Sequence, residues 1–128
     1  MADATPKVDP AQTLAAHVVG TGLENIPTAS QAATNKDVLD TFGAMLGGSS
    51  APGIGELTAV TVRWGGKEEA TLAVLGRKMP SHHAAMVNSA MGHALDFDDT
   101  YDEGGHIHPG TSVLAAALAV GELSLIHI

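Results

Sequence analysis

The sequence predicts a mainly α-helical domain, because of its composition and because of the spacing of its apolar residues. Of the 128 residues, 45% are hydrophobic but only 3% are aromatic, so alanine, leucine, valine and methionine must fill the core. Such residues suit closely packed helices better than a β-sandwich. The length provides for one modest domain.

Apolar residues recur at helical intervals in segments that start at Ala11, at Thr28, at Ser81 and at Thr111 or Ser112. The second segment begins with a Thr28–Gln31 pair at capping-box spacing and is followed by two glycines that can stop a helix. The side chains expected to face a core are Leu14, Val18, Val19 and Leu23; Val38, Leu39, Phe42, Met45 and Leu46; Ala84, Val87, Met91, Ala94 and Leu95; and Val113, Ala116, Ala117 and Val120.

A short β-hairpin is expected near 58–75. Residues 60–64 are β-rich, Gly65 and Gly66 would form the turn, and a second alternating run covers 67–74. Residues 1–10 are polar, contain two prolines and are expected to form a flexible lead-in.

The last six residues, 123–128, can be explained by the DNA from which the sequence was read and need no structural explanation. One codon choice for them, CTG TCT CTT ATA CAC ATC, reproduces the end of a widely used transposase sequencing adapter. The chain also stops inside an alanine-rich helical pattern without a C-cap glycine. We therefore expect 123–128 to be a non-native tail, with the natural sequence of this chain ending near Glu122.

The charge balance argues against several partners. The chain has 6 Lys+Arg against 14 Asp+Glu and a net charge of −8, so its surface repels phosphate backbones and we expect no nucleic-acid partner.

No segment approaches the roughly 18 uninterrupted apolar residues of a membrane span. The start lacks a secretory pattern, and we expect a cytoplasmic protein. The lack of cysteine excludes disulfides, thiolate metal ligands and a cysteine nucleophile.

The residues that could carry chemistry are concentrated in segment 93–108, which holds five carboxylates and three imidazoles between two predicted helices. At a helix end, Asp96, Asp99 and Thr100 would face one way, with His108 approaching from the following loop. Clustered carboxylates raise one another's pKa and a nearby imidazolium lowers it, which suits proton transfer near neutral pH. Pro109 restricts the preceding backbone to extended conformations. A solvated acidic loop without catalytic function is the alternative.

The same segment resembles the signature of the MmgE/PrpD family, in which a helix ends in His-Ala-Leu-Asp-Phe-Asp-Asp-Thr, here 93–100. A His-Pro pair, here His108 and Pro109, and a small-residue helix then follow. Segment 38–43 ahead of Gly47 resembles the family's second helix, and segment 84–90 resembles the run into the signature. The likeness spans roughly 13–122.

The resemblance implies part of the large all-helical domain of an MmgE/PrpD-type fold, which the family combines with a smaller α/β lid domain, commonly in a homodimer. It implies a lyase for small di- and tricarboxylic acids that needs neither metal nor other cofactor. We expect C–O elimination of the 2-methylcitrate dehydratase kind. A cis-aconitate-type decarboxylase or an epimerase of the same family is the alternative.

By motif position, the family's site residues fall on Asp96, Thr100 and His108. The resemblance implies that His108 is a general acid/base, and that Asp96 and Thr100 position the substrate or its leaving group. Asp99, His106 and His93 are weaker candidates for substrate binding, and only the following proline favours His108 over His106. In the family, lysines and a second histidine from later in the chain complete the site, so residues 11–122 would be an incomplete, inactive part of the domain.

Three interpretations from other classes compete with the lyase. Asp98-Asp99-Thr100-Tyr101-Asp102 is a DDxxD string, by which helical terpenoid synthases hold Mg²⁺ and diphosphate on one helical face. With 1 Trp, 1 Tyr and 2 Phe, however, the chain offers few aromatic walls for such a pocket. His106, His108 and Asp102 could bind zinc. A helical interaction module with an acidic loop for a basic partner is the non-catalytic alternative.

Overall fold

Helices and one short hairpin make up the computed structural model, which describes residues 9–103, 105 and 107–124. The helices are α1 (Pro10–Gly20), α2 (Thr28–Gly48), α3 (Ile54–Trp64), α4 (Ser81–His93) and α5 (Pro109–Ser124), and the strands are β1 (Ala70–Leu72) and β2 (Arg77–Met79). The prediction of a mainly helical chain with a short hairpin is confirmed. Most of the predicted lead-in, residues 1–8, and the tail residues 125–128 lie outside the described residues.

The chain divides into two compact units between Thr34 and Asn35. In the first unit, α1 begins where Asp9 Oδ1 accepts the Ala11 amide at 2.9 Å, with Pro10 in the first helical turn. Helix α2 begins at Thr28 as predicted, but Gln31 does not close a capping box. Its side-chain amide instead donates to the carbonyl of Ile26 at 2.8 Å, which fixes the connection before α2.

The core of the second unit lies between α4, α5 and the hairpin. Its buried apolar residues are Met45, Ile54, Ala70, Leu72, Met79, Ala84, Val87, Met91, Ala115 and Ala119. The end of α2 reaches α4 through Gly48, where a Cβ atom would overlap the carbonyl oxygen of Met91. Within the described part of the chain, no helix is both long enough and apolar enough to cross a bilayer.

Two side chains hold the hairpin against the helices. Strands β1 and β2 pair antiparallel, with Thr71 opposite Lys78. Buried Asn88 of α4 donates to the Thr71 carbonyl at 3.0 Å and accepts the Ala73 amide at 2.9 Å. Glu122 of α5 accepts the Thr71 amide at 2.8 Å, the Thr71 hydroxyl at 2.7 Å and the Lys78 ammonium at 3.0 Å.

The hairpin lies later in the chain than predicted, because residues 60–64 belong to helix α3. The buried positions of α3 are Ile54, Thr58 and Thr61, which follow helical and not strand spacing. The hydroxyls of Thr58 and Thr61 donate hydrogen bonds to carbonyls of the preceding turn. The Thr58 hydroxyl donates to the Ile54 carbonyl at 2.8 Å. Gly65, with a φ of 69°, ends the helix and does not form a hairpin turn.

Several helices bury a different face from the one predicted. Helix α2 buries Thr41, Met45 and Gly48, whereas the predicted core residue Leu39 is 75% exposed. Helix α5 buries Gly110, Thr111, Ala115 and Ala119. Small residues let α5 approach α4 closely, which places its larger apolar side chains outside the contact. The other large side chains predicted for a core but found exposed are Leu14, Val18, Val19, Leu23, Phe42, Leu46, Leu95, Val113 and Val120.

Candidate functional site

The site begins at the turn that follows α4. The helix ends at His93, and the amide of Asp96 then donates to the His93 carbonyl at 3.0 Å. Asp96 has a φ of 52°, a left-handed conformation that aspartate tolerates better than most residues. Segment 94–100 is therefore not helical, and the prediction that Asp96, Asp99 and Thr100 share one helical face is wrong.

A backbone bridge brings the other side of the site back to this turn. The Tyr101 amide donates to the Ile107 carbonyl at 2.9 Å, which closes the intervening loop at its base. His108 follows directly, and Pro109 is the first residue of α5. Proline suits the first helical position because it needs no amide partner there. The His-Pro pair thus fixes His108 at the start of α5, beside the turn that carries Asp96.

Asp98 lies at the centre of a cluster of two carboxylates and two imidazoles. Its side chain is fully buried and accepts hydrogen bonds from His93 Nδ1, at 3.0 and 3.1 Å, and from the Thr111 hydroxyl, at 3.2 Å. His108 Nδ1 lies 3.6 Å from Asp98 Oδ1, and His108 Nε2 lies 3.7 Å from Asp96 Oδ1. The two imidazole rings are 4.8 Å apart.

The two carboxylates of the cluster differ sharply in their surroundings. The Asp96 side chain is 80% exposed, whereas that of Asp98 is 0% exposed. Burial raises the pKa of the Asp98 carboxyl, but the hydrogen bonds and positive charge of His93, a bond from its own amide and the charge of His108 outweigh burial. The pKa of Asp98 is therefore lowered from its ordinary value, and the buried group is a carboxylate at neutral pH.

Asp99 caps α5. Both of its carboxylate oxygens accept the Gly110 amide, at 2.9 and 3.1 Å, and a Cβ at Gly110 would overlap Asp99 Oδ1. A carboxylate here also meets the positive end of the helix dipole. Asp37 of α2 faces the same region, and its pKa is raised by burial and by the charges of Asp99 and Asp40.

A cleft of about 360 Å³ opens beside the two imidazoles. This volume lies within the range of about 300–1,000 Å³ that is usual for small-molecule sites. Its lining residues are Ser89, His93, Ile107, His108, Thr111 and Ser112. Both imidazoles that line the cleft can be reached from solvent, since the His93 side chain is 53% exposed and that of His108 is 28% exposed.

The structure brings together some of the residues that the sequence singled out. His108, Asp96 and His93 share one cluster, and Asp99 lies at the adjoining helix start. Thr100 is exposed, and its hydroxyl makes no hydrogen bond to the described residues. His106 lies outside the described residues. Sequence reasoning missed the central role of Asp98, because alternation with Phe97 gave no sign of which carboxylate would be buried.

The cluster could hold a divalent transition metal. His93, Asp96, Asp98 and His108 can each offer one ligand atom, and these atoms lie within 4.8 Å of one another. Imidazole and carboxylate are the ligands that zinc accepts, but here both Asp98 oxygens already accept hydrogen bonds. This ligand set also differs from the predicted His106, His108 and Asp102.

The Mg²⁺–diphosphate interpretation loses its geometric basis. Residues 98–102 are not helical, so the DDxxD string does not present its carboxylates on one helical face. Asp98 is buried among imidazoles and Asp99 caps α5, which leaves neither free to coordinate a diphosphate-bound cation.

Comparison with protein families gives one finding. The family model of the MmgE/PrpD N-terminal domain matches residues 12–124, a range that includes every residue of the cluster. Comparison with curated proteins gives no match.

Proposed function

Because the chain belongs to the MmgE/PrpD family, which includes lyases, we propose that it is part of a cofactor-independent lyase for small di- or tricarboxylic acids. The proposed reaction is dehydration of a 2-methylcitrate-like hydroxy acid. The observation that carries the proposal is the approach of His108 Nε2 to Asp96 Oδ1, at 3.7 Å, beside a cleft and above a buried carboxylate.

The cluster supports a proton-transfer reaction. One group removes the proton from the carbon next to a substrate carboxylate, and another gives a proton to the hydroxyl on the neighbouring carbon. The C–H and C–O bonds break, a C=C bond forms and water leaves. We assign His108 as the general acid/base and Asp96 and Thr100 as the groups that position the substrate and its leaving hydroxyl. Exposure suits Asp96 to this role, since a substrate can reach it.

Binding of a tricarboxylate also requires positive charge. The lysines and arginines of the described chain all precede α4, the last being Arg77 and Lys78 in β2, and none lies in the segment that forms the cluster. We therefore propose that residues 11–122 are an incomplete part of the helical domain, and that lysines and a second histidine from later in the natural protein complete the site. Sequencing of the source gene beyond the codon for Glu122 tests this directly.

The test of function uses the intact natural protein and substitutes His108→Gln. We expect kcat for dehydration of 2-methylcitrate to fall by about 10²–10⁴-fold, because a positioned acid/base contributes on that order. The matched control is His17→Gln, an exposed histidine of α1, which should leave kcat unchanged. Full activity of the His108 variant would refute the assignment.

Product analysis separates the reactions known in the family. Dehydration gives an unsaturated acid and no CO₂, decarboxylation releases CO₂, and epimerisation changes only the configuration of the acid. Treatment with a chelator should leave turnover unchanged, because the acid/base role of His108 requires a ring nitrogen free of metal. Loss of activity on chelation, restored by zinc, would instead assign the His93, Asp96, Asp98 and His108 cluster to a metal.

A further inference from the structure

Asp98 has no role in the proposed reaction so far, although three side chains converge on it. His93 and Thr111 donate hydrogen bonds to its carboxylate, and His108 Nδ1 lies 3.6 Å from Oδ1. We propose that Asp98 is a positioning residue, which keeps the proton of neutral His108 on Nδ1 and so leaves Nε2 as the proton-accepting atom. This inference rests on the proposed role of His108.

The surroundings of His108 supply the first argument. Its Nδ1 is buried and has no hydrogen-bond partner within the described residues, and the Asp98 carboxylate is its ion-pairing neighbour. A buried polar atom is rarely left unpaired. Hydrogen bonds of catalytic groups are often long before substrate binds and shorten in the complex. A shift of somewhat under 1 Å would bring these atoms to the roughly 2.7–2.9 Å of a charge-assisted bond.

The direction of the ring supplies the second argument. The two nitrogens of His108 face two different carboxylates, Nδ1 toward buried Asp98 and Nε2 toward exposed Asp96. The hydrogen bond that one ring nitrogen makes decides which nitrogen carries the proton. If Nδ1–H points at Asp98, the lone pair of Nε2 points toward Asp96 and the side that a substrate can reach.

The third argument is that Asp98 is held in place, as such a role demands. His93 contacts both of its carboxylate oxygens, and Thr111 anchors Oδ2 to the first turn of α5. The lowered pKa keeps the Asp98 carboxyl ionised at neutral pH, so that it can accept a hydrogen bond from the Nδ1–H group of His108. Asp96 has no comparable support: its side chain is exposed on the turn after α4.

The experiment reads the tautomer of His108 by nitrogen NMR in the intact protein, labelled at histidine and kept at about pH 8.5, where an ordinary imidazole is neutral. The His108→Gln spectrum identifies the signal. We expect the Nδ1–H form in the wild type, and a shift toward Nε2–H in Asp98→Asn together with a fall in kcat of about 10²–10⁴-fold at similar KM.

Two further variants separate this role from a structural one. Glu122→Gln removes another hydrogen-bonded, part-buried carboxylate and should leave the His108 tautomer unchanged. Thr111→Val loosens Asp98 but keeps its charge, so the Nδ1–H form should persist. If Asp98→Asn does not fold, the wild-type spectrum still decides, since an Nε2–H tautomer there overturns the proposal. The proposal is also overturned if Asp98→Asn folds and His108 keeps the wild-type tautomer.

The readout does not depend on turnover. A protein that has the Nδ1–H tautomer but no lyase activity with any acid tested would refute the proposed function and leave the pairing of Asp98 with His108 intact. Conversely, an active lyase with the Nε2–H tautomer would refute the role of Asp98 alone.

Discussion

Three neighbouring aspartates show how burial gives identical side chains different roles. Asp96 is exposed on a left-handed turn, Asp98 is enclosed by imidazoles, and Asp99 caps α5 through the Gly110 amide. A left-handed non-glycine residue carries strain of the order of 1 kcal/mol or more, and such strain is common at functional sites. This left-handed residue lies two positions before Asp98, whose side chain is buried.

The charge of Asp98 should make stability depend on acidity. Its pKa lies below the ordinary value of 3.8 in the folded protein, so its ionised form stabilises the fold above that value. This contribution is lost as the pH falls through the lower, folded-state pKa. Asp98→Asn should reduce the free energy of unfolding by about 1.5–3 kcal/mol near pH 7, since it removes hydrogen bonds to a charged group.

The measurement is the difference in free energy of unfolding between wild type and Asp98→Asn, taken from urea denaturation of the intact protein between pH 7 and pH 2. The difference should shrink as the pH falls below about 4. A difference that remains constant to the lowest pH would mean that the carboxylate charge of Asp98 does not stabilise the fold.

At the scale of elements, the short hairpin is stabilised from outside its own pairing. A two-stranded sheet of this size is marginal in water, and β1 has an unpaired edge. Asn88 from α4 and Glu122 from α5 supply hydrogen bonds to that edge. Burial raises the pKa of Glu122, but its bonds to Thr71 and Lys78 outweigh burial, so the pKa is lowered and the group is ionised.

Removal of the Asn88 amide should release the hairpin from α4. Asn88→Ala leaves the Ala73 amide and the Thr71 carbonyl without their partner, at a cost of about 1–3 kcal/mol for each group that stays buried. Faster hydrogen exchange at the Ala73 amide would report the local opening. The exposed Asn25 provides the control, since Asn25→Ala should change stability by less than about 0.5 kcal/mol. Equal effects of the two substitutions would contradict the proposed role of Asn88 in holding the hairpin against α4.

At the scale of the whole molecule, the exposed apolar surface is the outstanding feature. In the second unit, Leu39, Leu46, Phe97 and Val113 are large side chains with more than half of their surface exposed. Leu39 and Phe97 lie together, with Leu95, around one cavity, and exposed apolar side chains that are grouped in this way usually mark contacts with other protein surfaces. We propose that later parts of the natural chain cover some of these residues, and that the complete protein is a homodimer.

The 128-residue chain alone should therefore be inactive and only marginally folded. We expect it to bind a hydrophobic dye such as ANS and to show no turnover of 2-methylcitrate. The longer protein proposed above, with a chain that extends past Glu122, should bind little dye and be active. Light scattering of that longer protein reports its oligomeric state. Turnover by the short chain at the rate of the longer one would contradict the view that the site is incomplete.

The sequence by itself determined the features that depend on local interactions. Thr28 and Ser81 begin helices as predicted, because the signals that start a helix act within a single turn. The helices that begin at Pro10 and Pro109 start one to three residues earlier than expected. The family motif identified His108 and Asp96 as neighbours in function, and their side chains lie 3.7 Å apart. The helical class followed from composition, since the chain has little material for a sheet core.

Only the tertiary structure decided what depends on burial by distant residues. The β-rich stretch before Gly65 is helical, because helical spacing brings Ile54, Thr58 and Thr61 into buried positions. In α5 the small residues and not the larger ones face α4. Asp98, which the pattern did not single out, became the buried centre of the site through contacts from α4 and α5. Whether a residue is buried depends on the residues that pack against it in three dimensions. The order of residues along the chain reveals those neighbours only indirectly.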